Sequence, residues 1–161
     1  MSHRFLSMAV VAVSLPMVAA AVLAQAGSQK PAMEEVTTAK LAYKPIEVPG
    51  FKSGMQIAGI HGDPSVADKP YTLRLAFPDG YAFPPHFHPR AENVTVLEGT
   101  FQLAMGREFD ESKLKTYHPG DYLYIEPENA HFGKAQGRTV VQLHGIGPFE
   151  ITVVKGQEMA E

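Results

Sequence analysis

The chain has no cysteine. That excludes disulfide stapling and a lipid anchor on a processed N-terminal cysteine, and it leaves His, Asp and Glu as the side chains for any metal site. Runs of basic residues and interleaved basic and aromatic residues are also missing. With 14 Lys and Arg against 17 Asp and Glu, nucleic-acid binding is disfavoured. Internal repeats and low-complexity tracts are absent, and the 161 residues suit one domain. Hydrophobic residues at 45% and charged residues at 19% mark a globular chain with enough apolar mass for a core.

One long hydrophobic run is present, at the start. His3 and Arg4 precede an uncharged stretch from Phe5 to Leu23, and Ala24-Gln25-Ala26 supplies the small-x-small pattern of a signal-peptidase site. Residues 1–26 therefore read as a signal peptide cleaved before Gly27. The competing reading is a retained anchor, since the run is long enough to span a bilayer; Pro16 and the Ala-Gln-Ala end favour removal. A single arginine before the run points to general secretion. The expected location is periplasmic or secreted, with no membrane attachment after cleavage and with metal acquired outside the cytoplasm. The mature chain keeps 13 basic and 17 acidic residues.

Residues 27–50 carry Lys30-Pro31, Lys44-Pro45 and Pro49-Gly50 with no apolar period, which predicts an extended arm with at most one short helix near residues 34–41. Residues 51–161 form the expected domain. Short apolar or alternating runs there are punctuated by Gly, Pro and Asp, the all-β pattern. Nine strands are expected, over residues 55–61, 71–77, 82–88, 93–98, 100–105, 121–126, 131–134, 139–145 and 149–154. A helical turn capped by Asp110 is expected over 110–114. Many short strands without long helices indicate a sandwich or jelly roll.

His86 and His88 are two apart in a predicted strand, so their side chains leave the same face, roughly 7 Å apart at the backbone. Glu92 follows after Pro89 and Arg90 have interrupted the strand, and its carboxylate can return to the same place. His131, just past the Pro127-Glu128-Asn129 turn, is the leading fourth donor.

These residues resemble the two motifs of the cupin superfamily. The first is a glycine, five residues, a histidine, one residue, a histidine, three or four residues, a glutamate, six residues and a glycine. Gly80, His86, His88, Glu92 and Gly99 satisfy every interval; chance would give this on the order of once per million starting points. The second motif is looser: Gly120-Asp121 opens it and His131 closes it, while Pro127 sits one place late, Asn129 replaces a glycine and Ala135 an asparagine. More closely, the chain is similar to small exported single-domain bacterial cupins related to the cupin domain of an anti-sigma factor that responds to oxidative stress.

The resemblance implies an all-β jelly-roll barrel, a double-stranded β-helix, holding one divalent metal ion on His86, His88, Glu92 and His131. Imidazoles and a carboxylate suit Fe, Mn, Zn, Cu or Ni without selecting among them. It also implies a small-molecule substrate or ligand, and dimers formed by pairing barrel edges.

Other residues carry two readings each. His144 alternates with Val141 and Leu143, so it is either an inward acid-base group or a wall residue. Arg74 is either an inward carboxylate anchor or, by default, an exterior strand residue. Tyr122 and Tyr124 share a face and could line the cavity or a dimer seam. His61 and His118 read as loop residues, and Phe83, Phe87, Phe101 and Phe132 as core. Residues 145–149 read as a hairpin connection, with a lip over the barrel mouth as the alternative. The functions compatible with this set are a dioxygenase-type enzyme in which Glu92 takes a proton, a non-catalytic binding or sensor domain, and a metal-dependent isomerase or lyase.

Overall fold

Two long strands set the architecture of the computed structural model, which describes residues 33–159; the signal peptide expected over residues 1–26 lies outside the described residues. β1 is Lys44–Pro45, β2 Gln56–His61, β3 Pro70–Phe77, β4 Ala82–Phe87 and β5 Glu92–Met105; β6 is Lys115–Tyr117, β7 Tyr122–Ile125, β8 His131–Ile146 and β9 Thr152–Val153. β5 and β8 pair along most of their length, and the register slips on both sides of Glu98. Such a slip bends a strand and sharpens its twist. Gly99, at φ +76°, belongs to this bend: a Cβ there would stand 2.3 Å from the Arg138 carbonyl oxygen, so only glycine fits.

The bend lets each long strand serve both leaves of the fold. The first half of β5 lies between β7 and the second half of β8; its second half lies between β6 and the first half of β8. On the other edge of β8, β3 pairs with the second half and β4 with the first. β2 and β1 extend the sheet beyond β3, and β9 extends it beyond β4. All nine strands form one antiparallel sheet curled on itself, a jelly roll. The expected pairs 93–98 with 100–105, and 131–134 with 139–145, are thus each one bent strand.

The core follows the period-two pattern. Tyr71, Leu73, Leu75 and Phe77 of β3 are buried, as are Val94, Val96, Phe101 and Leu103 of β5 and Val141 and Leu143 of β8. Each contributes on the order of 1.5–3 kcal/mol by leaving water. Phe77, Phe83 and Phe101 stack on one another with ring centroids 5.8 to 6.1 Å apart. At Gly133 in β8 an added Cβ would stand 2.3 Å from both the Gln102 carbonyl oxygen and the Phe83 ring. Gly133→Ala is therefore expected to destabilise the fold by about 2–3 kcal/mol through overpacking, read as a lower urea midpoint. An unchanged midpoint would contradict this packing.

Among the described residues the helical content is two 3-10 turns, Thr38–Lys40 and Glu111–Lys113. Asp110 caps the second, accepting from the Ser112 N–H at 3.0 Å. The arm ends by joining the sheet through β1, and Ile46 and Val48 pack on the core.

The last crossover corrects the hairpin reading of residues 145–149. β9 pairs with β4, not with β8. Residues 147–149 are tied instead to the loop before β3: Gly147 N–H donates to Lys69 O, Asp68 N–H to Gly147 O and Phe149 N–H to Pro64 O. That fastening carries the chain across the open end of the curled sheet and sets Phe149 against His88.

Candidate metal centre

β4 begins the site. Pro84 and Pro85 have no N–H to give a neighbouring strand, and the register against β8 jumps between Phe83 and His86. The Pro84 carbonyl is left to accept the His86 Nδ1–H at 2.8 Å. His86 pairs across the ladder with His131, the first residue of β8. His131 repeats the same local arrangement, its Nδ1–H donating to the Asn129 carbonyl two residues back at 3.0 Å. The Nδ1–H of His88 donates to Glu150 O at 2.6 Å, in the crossover that follows β8.

A carbonyl only accepts, so each Nδ1 carries a proton and each neutral ring keeps its lone pair on Nε2. Ligand nitrogens of His86, His88 and His131 lie within 4.8 Å of one another, and all three residues are buried. Glu92, the first residue of β5, sets Oε2 3.3 Å from His131 Nε2 and 3.6 Å from His88 Nε2. Nε2 of His88 is buried without a hydrogen-bond partner. A carboxylate facing bare imidazole lone pairs out of reach of water is unfavourable unless a cation lies between them. The donor set and its burial therefore fit a divalent ion held by the three histidines, with the carboxylate beside it. The carbonyls bonded to the three Nδ1–H groups fix ring orientation, as supports of metal ligands commonly do.

Electrostatics point the same way. Burial lowers His86 to about 3, with the neighbouring charges of His131 and His88 adding to it. Burial also lowers His88. Burial by itself would raise Glu92, but contact with His131 and positive charge on the three rings, wherever they are protonated, more than offset it and hold the carboxyl below its usual range, so the carboxylate calls for a cation beside it. Groups lowered on folding contribute stability above their unfolded values and lose it as pH falls. Protein stripped of metal is thus expected to be most stable above pH 6.5 and to weaken as the two histidines are driven to protonate, by up to about 1.4 kcal/mol per pH unit for each group. Divalent-ion affinity should fall over the same range, because imidazole binds metal only when neutral. Urea titrations between pH 4.5 and 7.5 test this, and a flat profile would contradict it.

The ion site opens on a cavity inside the curled sheet. His86, His88, Glu92 and His131 are its only polar side chains; the rest of the wall is apolar, including Phe51, Leu75, Phe83 and Phe149. Phe149 stacks on His88 with centroids 4.7 Å apart, and Phe51 meets His86 edge-on at 5.1 Å.

Of the residues singled out in the sequence, the fold brings together His86, His88, Glu92 and His131. His144 stays outside: Val141 and Leu143 take the inward positions of β8, so His144 points to solvent and matches the wall reading, not the acid-base one. Arg74 is likewise on the outer face, donating to Gln142 Oε1 at 3.1 Å. Tyr122 and Tyr124 are exposed, and Tyr122 donates to Asn93 Oδ1. Phe87 is only half-buried, under the Arg107 guanidinium. The sequence reading missed Phe51, Phe149 and Ile151 as cavity walls. The alternation of Phe149, Ile151 and Val153 with polar neighbours is the signal that places the first two on one face.

Comparison with known proteins agrees with this geometry. Residues 73–146 match the cupin domain family. No curated protein matches the sequence. Among solved structures, the chain is similar to the polyketide cyclase RemF from Streptomyces resistomycificus, with 21% identity over 78% of this chain and 88% of that one and a TM-score of 0.63. It is similar to a candidate acetylacetone dioxygenase from Methylibium petroleiphilum PM1, with 19% identity over 79% and 84% and a TM-score of 0.60. A cupin 2 conserved barrel domain protein from Rhodopseudomonas palustris aligns at 15% identity over 71% and 77%, with a TM-score of 0.57. The matching model, the curled antiparallel sheet and the three histidines clustered inside it together mark residues 73–146 as a cupin domain.

Proposed function

We propose that this protein is an exported mononuclear metalloenzyme of the dioxygenase type, acting on a small enol, diketone or phenol. The observation that carries the proposal is the convergence of three Nε2 lone pairs and one carboxylate in an otherwise apolar cavity. His86, His88, Glu92 and His131 would hold one divalent ion, which when bound supplies Lewis-acid and redox chemistry to the oxygens of the substrate. The apolar walls exclude water, which strengthens every charge interaction inside. Glu92 is the one carboxylate facing the cavity; held ionised by its histidine neighbours, it can take the acidic proton of an enol or phenol on Oε2. Both oxygen atoms of the co-substrate dioxygen would end in the products. Removal of the segment before Gly27 would release the chain outside the cytoplasm, where it takes up its ion.

Likeness to a candidate acetylacetone dioxygenase is consistent with this chemistry, and likeness to a polyketide cyclase favours one alternative, a metal-dependent reaction on similar oxygen-rich substrates that consumes no dioxygen. Oxygen uptake by protein loaded in turn with Fe, Mn, Cu, Ni or Zn separates the two. Uptake stoichiometric with loss of a diketone or phenol is expected. Equal turnover without oxygen would establish the alternative. Failure with every metal and substrate, together with metal-dependent capture of a partner, would establish a sensor domain instead.

A further inference from the structure

The walls of the cavity define what can enter it, and they continue outward. A second groove lies beside the first. The two share Met55, Leu75, Phe149 and Ile151 and differ in what lies behind them. The inner space ends on the histidines and the stacked phenylalanines. The outer one is bounded by Ile46, Ile57 and Leu73 and by Pro64 and Ser65 of the loop before β3. Among the described residues, no Lys or Arg lines either space. Arg74, the basic residue of β3, is turned away and held by Gln142.

We infer that the substrate is a chelating molecule with an uncharged, apolar body: its oxygen donors meet the histidine cluster, and its body lies in the seam formed by Met55, Leu75, Phe149 and Ile151, directed toward the outer groove. This rests on the metal-centre reading above and narrows it. A charged group on the body would need a fixed cation or several donors to replace its hydration, and the seam offers neither; an ion at the histidines serves the chelating donors alone. An apolar body gains by burial against four large side chains. The crossover that seats Phe149 and Ile151 also supplies, through the Glu150 carbonyl, the bond that orients His88, so one segment shapes both the body subsite and the ion site.

The test uses the zinc-loaded full chain, in which binding is read without turnover, and two chelating probes with the same head: acetylacetone and benzoylacetone. Dissociation constants come from calorimetry and zinc content from mass spectrometry. Benzoylacetone is expected to bind about 10- to 100-fold tighter than acetylacetone. Ile151→Glu, which puts a charge in the seam, is expected to weaken benzoylacetone at least about tenfold. The two diketones binding equally to wild-type protein would overturn the inference while leaving the metal centre standing. Wild-type protein that takes up no zinc would overturn the metal-centre reading and this inference with it. The wild-type ranking needs no variant, so a poorly folding Ile151→Glu does not shelter the inference.

Discussion

His131→Ala is expected to reduce bound divalent metal from about one ion per chain to less than about a tenth, and to weaken affinity by more than about a hundredfold. The reason is the shape of the donor set. His86 and His131 are cross-strand partners whose Nδ1–H groups are each fixed by a carbonyl two residues back, so their Nε2 atoms are aimed before any ion arrives. Removing even a support of such a ligand commonly costs about 10- to 100-fold in affinity; removing the ligand itself costs more. His144→Ala is the matched control. It changes the same residue type on the same strand, but the side chain is exposed on the outer face, so metal content should not change. Loss of metal in both variants, or retention in His131→Ala, would contradict the assignment.

Metal removal should also cost the protein much of its stability. The stripped site buries an unpartnered Nε2 on His88 and places a carboxylate oxygen 3.3 to 3.6 Å from two ring nitrogens. Folding therefore carries an unfavourable term that a cation cancels. An ion that binds only the folded chain adds about 4 kcal/mol when present at about a thousand times its dissociation constant. For a domain of this size that corresponds to a rise in Tm of roughly 10–20 °C. Calorimetry of chelator-stripped protein before and after adding one equivalent of metal reads this directly. The same argument predicts that His88→Leu, which replaces the orphaned ring with an apolar side chain of comparable volume, destabilises the stripped protein by no more than about 1–2 kcal/mol. Superimposable melts with and without metal would show that the cluster is satisfied by itself.

The ligand set was legible because its spacing is local. His86, His88 and Glu92 lie within seven residues of one another, and strand geometry alone aims the two histidines the same way. His131 could be named from its place after a turn even though that turn departs from the motif. In the fold, the left-handed residue of the turn is Glu128, at φ +62°, and its N–H donates to His88 O at 2.8 Å, which ties the turn to the strand that carries the first two histidines. Strand existence was equally legible from alternation and punctuation.

What the sequence hid was continuity and facing. Gly99 and Gly137 look like turn residues, yet both lie in bends of continuous strands, because pairing across the ladder is a property of two segments and not of one. The three-residue β6 is too short to show a period. Alternation on β8 placed Leu143 and His144 on opposite faces but could not say which face is inside; burial of Leu143 against the cavity decides it. The crossover through Phe149 reads locally as a hairpin because Gly147 and Pro148 are turn residues, and only the bonds to Pro64 and Lys69 show where it goes.

The central claim is that three Nε2 atoms and the Glu92 carboxylate share one ion. X-ray absorption at the edge of the metal bound by the full chain, followed by a crystal structure of that holoprotein, tests it most directly. The account predicts one ion about 2.0–2.2 Å from Nε2 of His86, His88 and His131, with Glu92 as the neighbouring oxygen donor. An ion bound at the surface, or a coordination shell containing fewer than three imidazole nitrogens, would contradict it.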